Sequence, residues 1–286
     1  MRRPLRAAIG AAVTTLLLSV AAVPALAITG GEPDGDGHPN VAMIVFYDAT
    51  GRYRCSATLA SPTVLVTAAH CTDGTVGKTA VTFDSFIAET GPSPLPVAAD
   101  PAAGYTSTEL AAAGLLSGTA YTHPNYSNFT DTKNWNDVGV IVLDSPVAGI
   151  APSPLAPTNY LNQFKQPKLN HTLFTVVGYG TEVRKLNGTT GQPVPMSYPL
   201  IRRVTDSVGQ KLTPQILQMN GNINDTRGGG GTCFGDSGGP VFKDGYLVAD
   251  TSYGYTYNCR YLGGYQRVDI PVVQSWLATY GLKPAA

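Results

Sequence analysis

Cys233-Phe234-Gly235-Asp236-Ser237-Gly238-Gly239-Pro240 sets one hydroxyl between glycines and beside an acid. A backbone built this way exposes a nucleophile. A serine hydroxyl is weak at neutral pH and needs an adjacent base, so the stretch predicts a matching histidine elsewhere. Of four histidines, His70 alone stands in a motif of its own, Thr67-Ala68-Ala69-His70-Cys71, at the end of an apolar β-prone run. His38, His123 and His171 lie among Gly, Asn, Pro and Thr and read as solvated loop side chains.

Met1-Arg2-Arg3-Pro4-Leu5-Arg6 is followed by an uncharged run to Ala25-Leu26-Ala27. A charged start, an apolar middle and a small-residue end predict a cleaved secretory signal over residues 1–27. Its loss leaves 259 residues with 16 basic and 19 acidic side chains, a net charge of −3. That balance gives no argument for nucleic acid or an anionic surface, and no second apolar run is long enough to cross a bilayer. Four cysteines after an export signal predict two disulfides. No C-x-x-C pair suggests zinc and the acids from Asp73 to Asp84 are too sparse for a Ca²⁺ loop; no metal or cofactor is expected. Asn-x-Ser/Thr occurs at Asn125, Asn128, Asn170, Asn187 and Asn224.

Residues 41–47, 54–60 and 63–69 read as strands, with a turn at Ser61-Pro62. Residues 83–122, rich in small and polar groups, read mostly as surface loops around one or two short strands. Residues 138–143 form a clear buried strand, with Asp137 at its entry and Asp144 at its exit. A Pro-rich connection follows over 145–171, and residues 173–180 open a second β-rich half. Strands at 241–242, 246–249 and 265–268 follow the serine stretch. Only Pro271 to Leu282 looks helical, with Pro271 suited to a first turn and apolar residues at helical spacing. Short strands with Gly/Pro turns indicate an all-β sandwich or a pair of barrels, and periodicity does not choose between them.

The motifs choose. GDSGGP at 235–240 and TAAHC at 67–71 together resemble the chymotrypsin-like (trypsin-fold) serine proteases. The likeness covers nearly all of the chain after residue 27 in the family's order, through Ile28-Thr29-Gly30-Gly31, Asn136-Asp137-Val138, Gly178-Tyr179-Gly180 and Ser252-Tyr253-Gly254. It implies an all-β fold of two six-stranded antiparallel β-barrels, with the active site in the cleft between them and a C-terminal helix. Residues 28–150 would form the first barrel and 151–286 the second, together one peptidase domain. Ser237 would attack the scissile carbonyl, His70 would relay its proton, and a buried acid would hold the imidazole. Asp137 is the expected acid, because a triad acid needs a rigid, buried element; Asp144 and Asp131 are the alternatives. The N–H groups of Gly235 and Ser237 would form the oxyanion hole. By the same resemblance Cys55 pairs with Cys71 and Cys233 with Cys259. Gly231, Ser252 and Gly254 would contact substrate, with Gly263 or Gly264 opposite Gly254. A freed Ile28 amine would pair with Asp236.

The implied function is a secreted, extracellular serine endopeptidase acting through an acyl-enzyme. Gly231 offers no carboxylate to a basic side chain, so large apolar or aromatic residues are expected before the cleaved bond. The expected partners are polypeptide substrates and protein protease inhibitors, not nucleic acid or, once the signal is removed, membrane. Two other readings keep the same residues: a catalytically silent binding module, and a hydrolase acting mainly on esters. GDSGG also fits the G-x-S-x-G elbow of α/β-hydrolases, but that class places its histidine after the serine. None follows Ser237 here.

Overall fold

The computed structural model describes residues 28–131, 133–182 and 197–286. The signal peptide expected over 1–27 and the acceptor Asn187 lie outside the described residues. Six strands make a first closed barrel: β1 (Val41–Asp48), β2 (Gly51–Ser61), β3 (Val64–Thr67), β4 (Val76–Thr82), β5 (Leu116–Thr122) and β6 (Gly139–Leu143). They pair antiparallel in the order β1-β2-β3-β6-β5-β4, with β4 returning to β1. A second set comprises β7 (Leu173–Gly178), β8 (Arg203–Leu212), β9 (Ile216–Asn220), β10 (Pro240–Lys243), β11 (Tyr246–Gly254) and β12 (Leu262–Arg267). Their order is β7-β8-β9-β12-β11-β10, closed by β10 on β7. The two barrels share one strand order, although the residues show no internal repeat.

Alternation explains the layers. In β1, Ala42, Ile44 and Phe46 point into the first barrel with Leu59, Leu65, Val81 and Ile141. Val64 and Val66 of β3 and Val140 of β6 point the other way, into a core shared with Leu247, Val268 and the helix residues Val273 and Leu277. Both faces of β3 and β6 are therefore apolar, which is why those segments read as continuous hydrophobic runs. A third core fills the second barrel with Phe174, Val176, Leu217, Met219 and Val241, and it includes Ile28.

The structure corrects several expectations. Residues 83–122 hold a helix, α1 (Ser107–Ala112), and the full barrel strand β5. A capping box starts α1: Thr106 accepts from the Glu109 N–H while the Glu109 carboxylate takes the Thr106 N–H. That reciprocal pair overrides the loop-like composition. Strands β4, β8 and β9 also escape the sequence reading, because they carry Ser, Thr, Gly and Gln at barrel positions. The terminal helix, α2 (Pro271–Ala278), ends earlier than Leu282. His123 is not solvated. It is 3% exposed, lies edge-on to Trp276, and burial holds its pKa below the usual histidine value.

Candidate active site

His70 lies in a single 3₁₀ turn, Ala69–Cys71, directly after β3. Asp137 lies just before β6, which pairs with β3 through Thr67 and Gly139. This adjacency brings the two side chains together across 67 residues of sequence. His70 Nδ1 is 2.9 Å from Asp137 Oδ2 and 3.2 Å from Oδ1, and the His70 backbone N–H donates to Oδ1 at 2.9 Å. Asp137 is fully buried. Its other partner is the Ser252 hydroxyl, 2.6 Å from Oδ2. The Asp137 N–H is itself held by Gln266 Oε1 at 3.1 Å. The carboxylate thus has three hydrogen-bonding partners and a fixed backbone, the condition for orienting one imidazole tautomer.

The two alternative acids lie elsewhere. Asp144 bonds Lys78, Ser107 and Ser117 on the surface, and Asp131 caps the exposed turn at Lys133 and Asn134.

Ser237 is half-buried between the barrels. Its carbonyl accepts from the Ser56 N–H at 2.8 Å, and the Ser56 hydroxyl donates to the Gly235 carbonyl at 3.0 Å. The serine loop is thereby fastened to β2 of the opposite barrel. Gly235 has φ +96° and Gly238 φ +73°, a backbone path that side chains rarely adopt, and it turns Ser237 outward. His70 and Ser237 line one cleft of about 490 Å³ with Phe129, Thr232, Tyr253 and Gly254. A larger open depression of about 780 Å³ near Phe164 and Arg267 holds neither group.

The cleft is aromatic. The Phe129 ring lies 5.8 Å from that of His70, and Trp135 stacks on Tyr253 at 4.9 Å. Gly254 pairs with Gly263 across β11 and β12. Gly231 packs on Gly221, and its N–H bonds the Thr29 carbonyl at 3.0 Å. The glycine run ending at Gly231 is a packing seam: a methyl on Gly230 would meet the Thr29 carbonyl oxygen at 2.4 Å. Disulfides join Cys55 to Cys71 behind His70 and Cys233 to Cys259 beside the cleft. Among the described residues, the grouping of metal-type ligands at Cys55, His70 and Cys71 has both sulfurs in one disulfide.

Asp236, next to the serine, is fully buried. It accepts from the N–H groups of Gly180 at 2.7 Å and Cys233 at 2.8 Å. Gly178 and Gly180 make its room, since a methyl on either would stand within 2.3 Å of its oxygens. Burial pushes its pKa up to about 7, although the two amides and the Arg54 charge pull the other way.

Two features of the site had no signal in the motifs. Ser252, expected to touch substrate, lines the cleft, but nothing in the motif foretells its bond to Asp137. Asp250, two residues earlier on β11, is buried, with no hydrogen bond to either oxygen among the described residues. Burial first, and then the nearby Asp137 charge, raise its pKa well above the usual carboxylate value. The protonated form is favoured in the fold, so stability is lost as pH rises from the ordinary carboxylate range through the raised value. Asp250→Asn removes that ionisation. The variant should therefore lose less Tm than the parent between pH 5 and 9; equal slopes would refute this account of Asp250.

Two closed antiparallel barrels with a His–Asp pair and a glycine-bracketed serine at their junction define the chymotrypsin-like class of serine endopeptidases. The chain belongs to the trypsin family: the Trypsin family model matches residues 28–277. It is 30% identical to a brachyurin of Leptuca pugilator over 249 residues, covering 82% of this chain and 89% of that one. It is 28% identical to a trypsin of Saccharopolyspora erythraea, covering 79% and 86%. It is 26% identical to trypsin alpha of Drosophila erecta, covering 80% and 78%. The solved structure of HL collagenase superposes with a TM-score of 0.61 at 18% identity, over 90% of this chain and all of that one, a likeness of fold. The protein is thus a serine-type endopeptidase, a hydrolase whose substrates are polypeptides. Among the described residues no helix is long and apolar enough to cross a membrane.

Proposed function

We propose that Ser237, His70 and Asp137 act as one triad that cleaves peptide bonds through an acyl-enzyme, in a protein exported after removal of residues 1–27. The observation that carries this reading is the buried Asp137 carboxylate, held by Ser252 and by the His70 backbone N–H while it faces His70 Nδ1 at 2.9 Å. His70 Nε2 is then left to face the cleft that Ser237 lines. Ser237 attacks the carbonyl as the imidazole takes its proton, and the imidazolium then protonates the leaving amine. Asp137 stabilises that imidazolium without becoming protonated. The N–H groups of Gly235 and Ser237 receive the oxyanion, a contribution of about 10²–10³ in rate per donor. Water repeats the cycle on the ester. Only the neutral imidazole can accept the serine proton.

We further assign the side chain before the cleaved bond to the cleft between Thr232 and Gly254. Its walls carry Phe129, Tyr253 and Tyr255, and no acid lines it. Phe, Tyr or Leu there gains burial of about 25 cal/mol per Å², whereas Arg or Lys brings a charge with no partner. A peptide library should therefore show large apolar and aromatic residues preferred over Arg and Lys. Exclusive cleavage after Arg or Lys would overturn the assignment. Protein protease inhibitors that present such a residue would fit the same cleft.

A further inference from the structure

Strand β2 carries Arg52 and Arg54 two residues apart, on one face by strand alternation. Both line a cavity of about 280 Å³ with Ser93 and Tyr198, apart from the cleft that holds His70 and Ser237. Arg52 Nη2 donates to the Leu95 carbonyl at 3.3 Å and Arg54 Nη1 to the Pro199 carbonyl at 3.2 Å. Among the described residues, Arg52 Nε and Arg54 Nη2 are buried without a hydrogen-bond partner. No ion pair within 4.0 Å engages either guanidinium among the described residues. Residues 1–27, Thr132 and 183–196 contain no Asp or Glu, so no acid of the chain outside the described residues can serve. Arg54 feels the buried Asp236 charge without an ion pair, and Arg52 lies 5.9 Å from the Tyr105 ring. The donors they leave unused are still costly to bury, and an anion in the cavity would take them up.

The cavity borders the catalytic loop. A methyl on Gly235 would come within 2.9 Å of Arg54 Nε. Ser56, two residues beyond Arg54, holds the carbonyls of Gly235 and Ser237. Thr232, Tyr253 and Gly254 line the cleft with Ser237, where the residue before the bond is assigned. At about 3.3 Å per extended residue, a substrate lying along β2 from Ser237 would bring one of its next few residues to the cavity.

We propose that the Arg52–Arg54 cavity is a carboxylate-binding subsite that takes an acidic side chain from the leaving-group half of the substrate. The placement on the substrate rests on the endopeptidase reading; the carboxylate chemistry does not. Internally quenched peptides of one sequence, with Asp, Asn, Glu or Gln at each of the first three positions after the cleaved bond, test it. The parent enzyme should favour the acid over its amide at one of those positions by about tenfold in kcat/KM. That ratio should fall toward one in Arg52→Gln and in Arg54→Gln. A ratio that persists in both variants overturns the proposal.

Glutarate, compared with chloride at equal ionic strength, is the second arm, read by thermal shift on the same three proteins. A rise in Tm confined to the parent, with no peptide preference, identifies a free carboxylate as the ligand. No preference and no rise overturns the subsite altogether. Because the thermal arm needs no turnover, it still decides the matter if the protein cleaves no peptide, and the parent's own ratios decide it if a variant fails to fold.

Discussion

Replacing Ser237 with alanine should lower kcat on the order of 10⁶-fold, and replacing His70 with alanine should cost about as much. The double replacement should be scarcely worse than either single one. In the proposed triad nucleophile and base form one unit: without the imidazole the hydroxyl would keep its proton, and without the hydroxyl the imidazole would have nothing to activate. What activity remains comes from binding and the oxyanion donors. Asp137→Ala should be severe as well, because Ser252, the His70 N–H and His70 Nδ1 all lose their common acceptor. Steady-state assays on folded variants check this. Additive losses in the double variant would show that Ser237 and His70 do not work together.

An enzyme made with one extra residue before Ile28 should lose activity roughly 10²–10³-fold while remaining folded, if the Ile28 amine pairs with Asp236 as proposed. Three observations support the pair. Ile28 is fully buried in the core of the second barrel. Its φ of +47° is a conformation that a β-branched residue avoids inside a chain, and it ceases to be a constraint once Ile28 is first, because φ needs a preceding carbonyl. Thr29 bonds Gly231, six residues before Ser237, so the segment is already docked on the serine loop. Asp236 supplies the need. Its raised pKa means that, without an amine, the loop loses stability as pH climbs from about 4 to about 7. A positive charge at Ile28 reverses that trend. The extended form should therefore be worst at pH 8 and recover partly near pH 5 in loop order, read by hydrogen exchange at residues 233–239. Full activity in the extended form would exclude the pair as the switch. Ile28 follows Ala25-Leu26-Ala27 directly, so removal of the signal alone is proposed to free the amine.

The residues proposed as catalytic are legible because short local patterns carry their chemistry. Ser237 needs glycines for its backbone path and His70 needs a strand end beside a cysteine, and both needs are written within six residues. Asp137 was legible for a different reason: it precedes a segment buried on both faces. Ser252, Gln266 and Asp250 were not, because what they do depends on β11 and β12 being brought against β6, more than 100 residues away in sequence. The same non-locality hid β8. Its buried Arg203 finds Glu182, and the adjacent Arg202 finds Asp34 across 168 residues. A Ser, Asp, Gly and Gln-bearing strand is unremarkable until the barrel closes around it. Helix α1 is missed although Thr106 and Glu109 spell its start, since its six residues bury only Leu110 and so show no apolar period.

The most direct test of the account is to treat the enzyme with a serine-directed organophosphate and map the adduct by mass spectrometry. One adduct is expected, on Ser237, with loss of peptide cleavage in proportion to labelling and little labelling in His70→Ala. Cleavage that survives full labelling, or an adduct on another serine that tracks the loss, would contradict it.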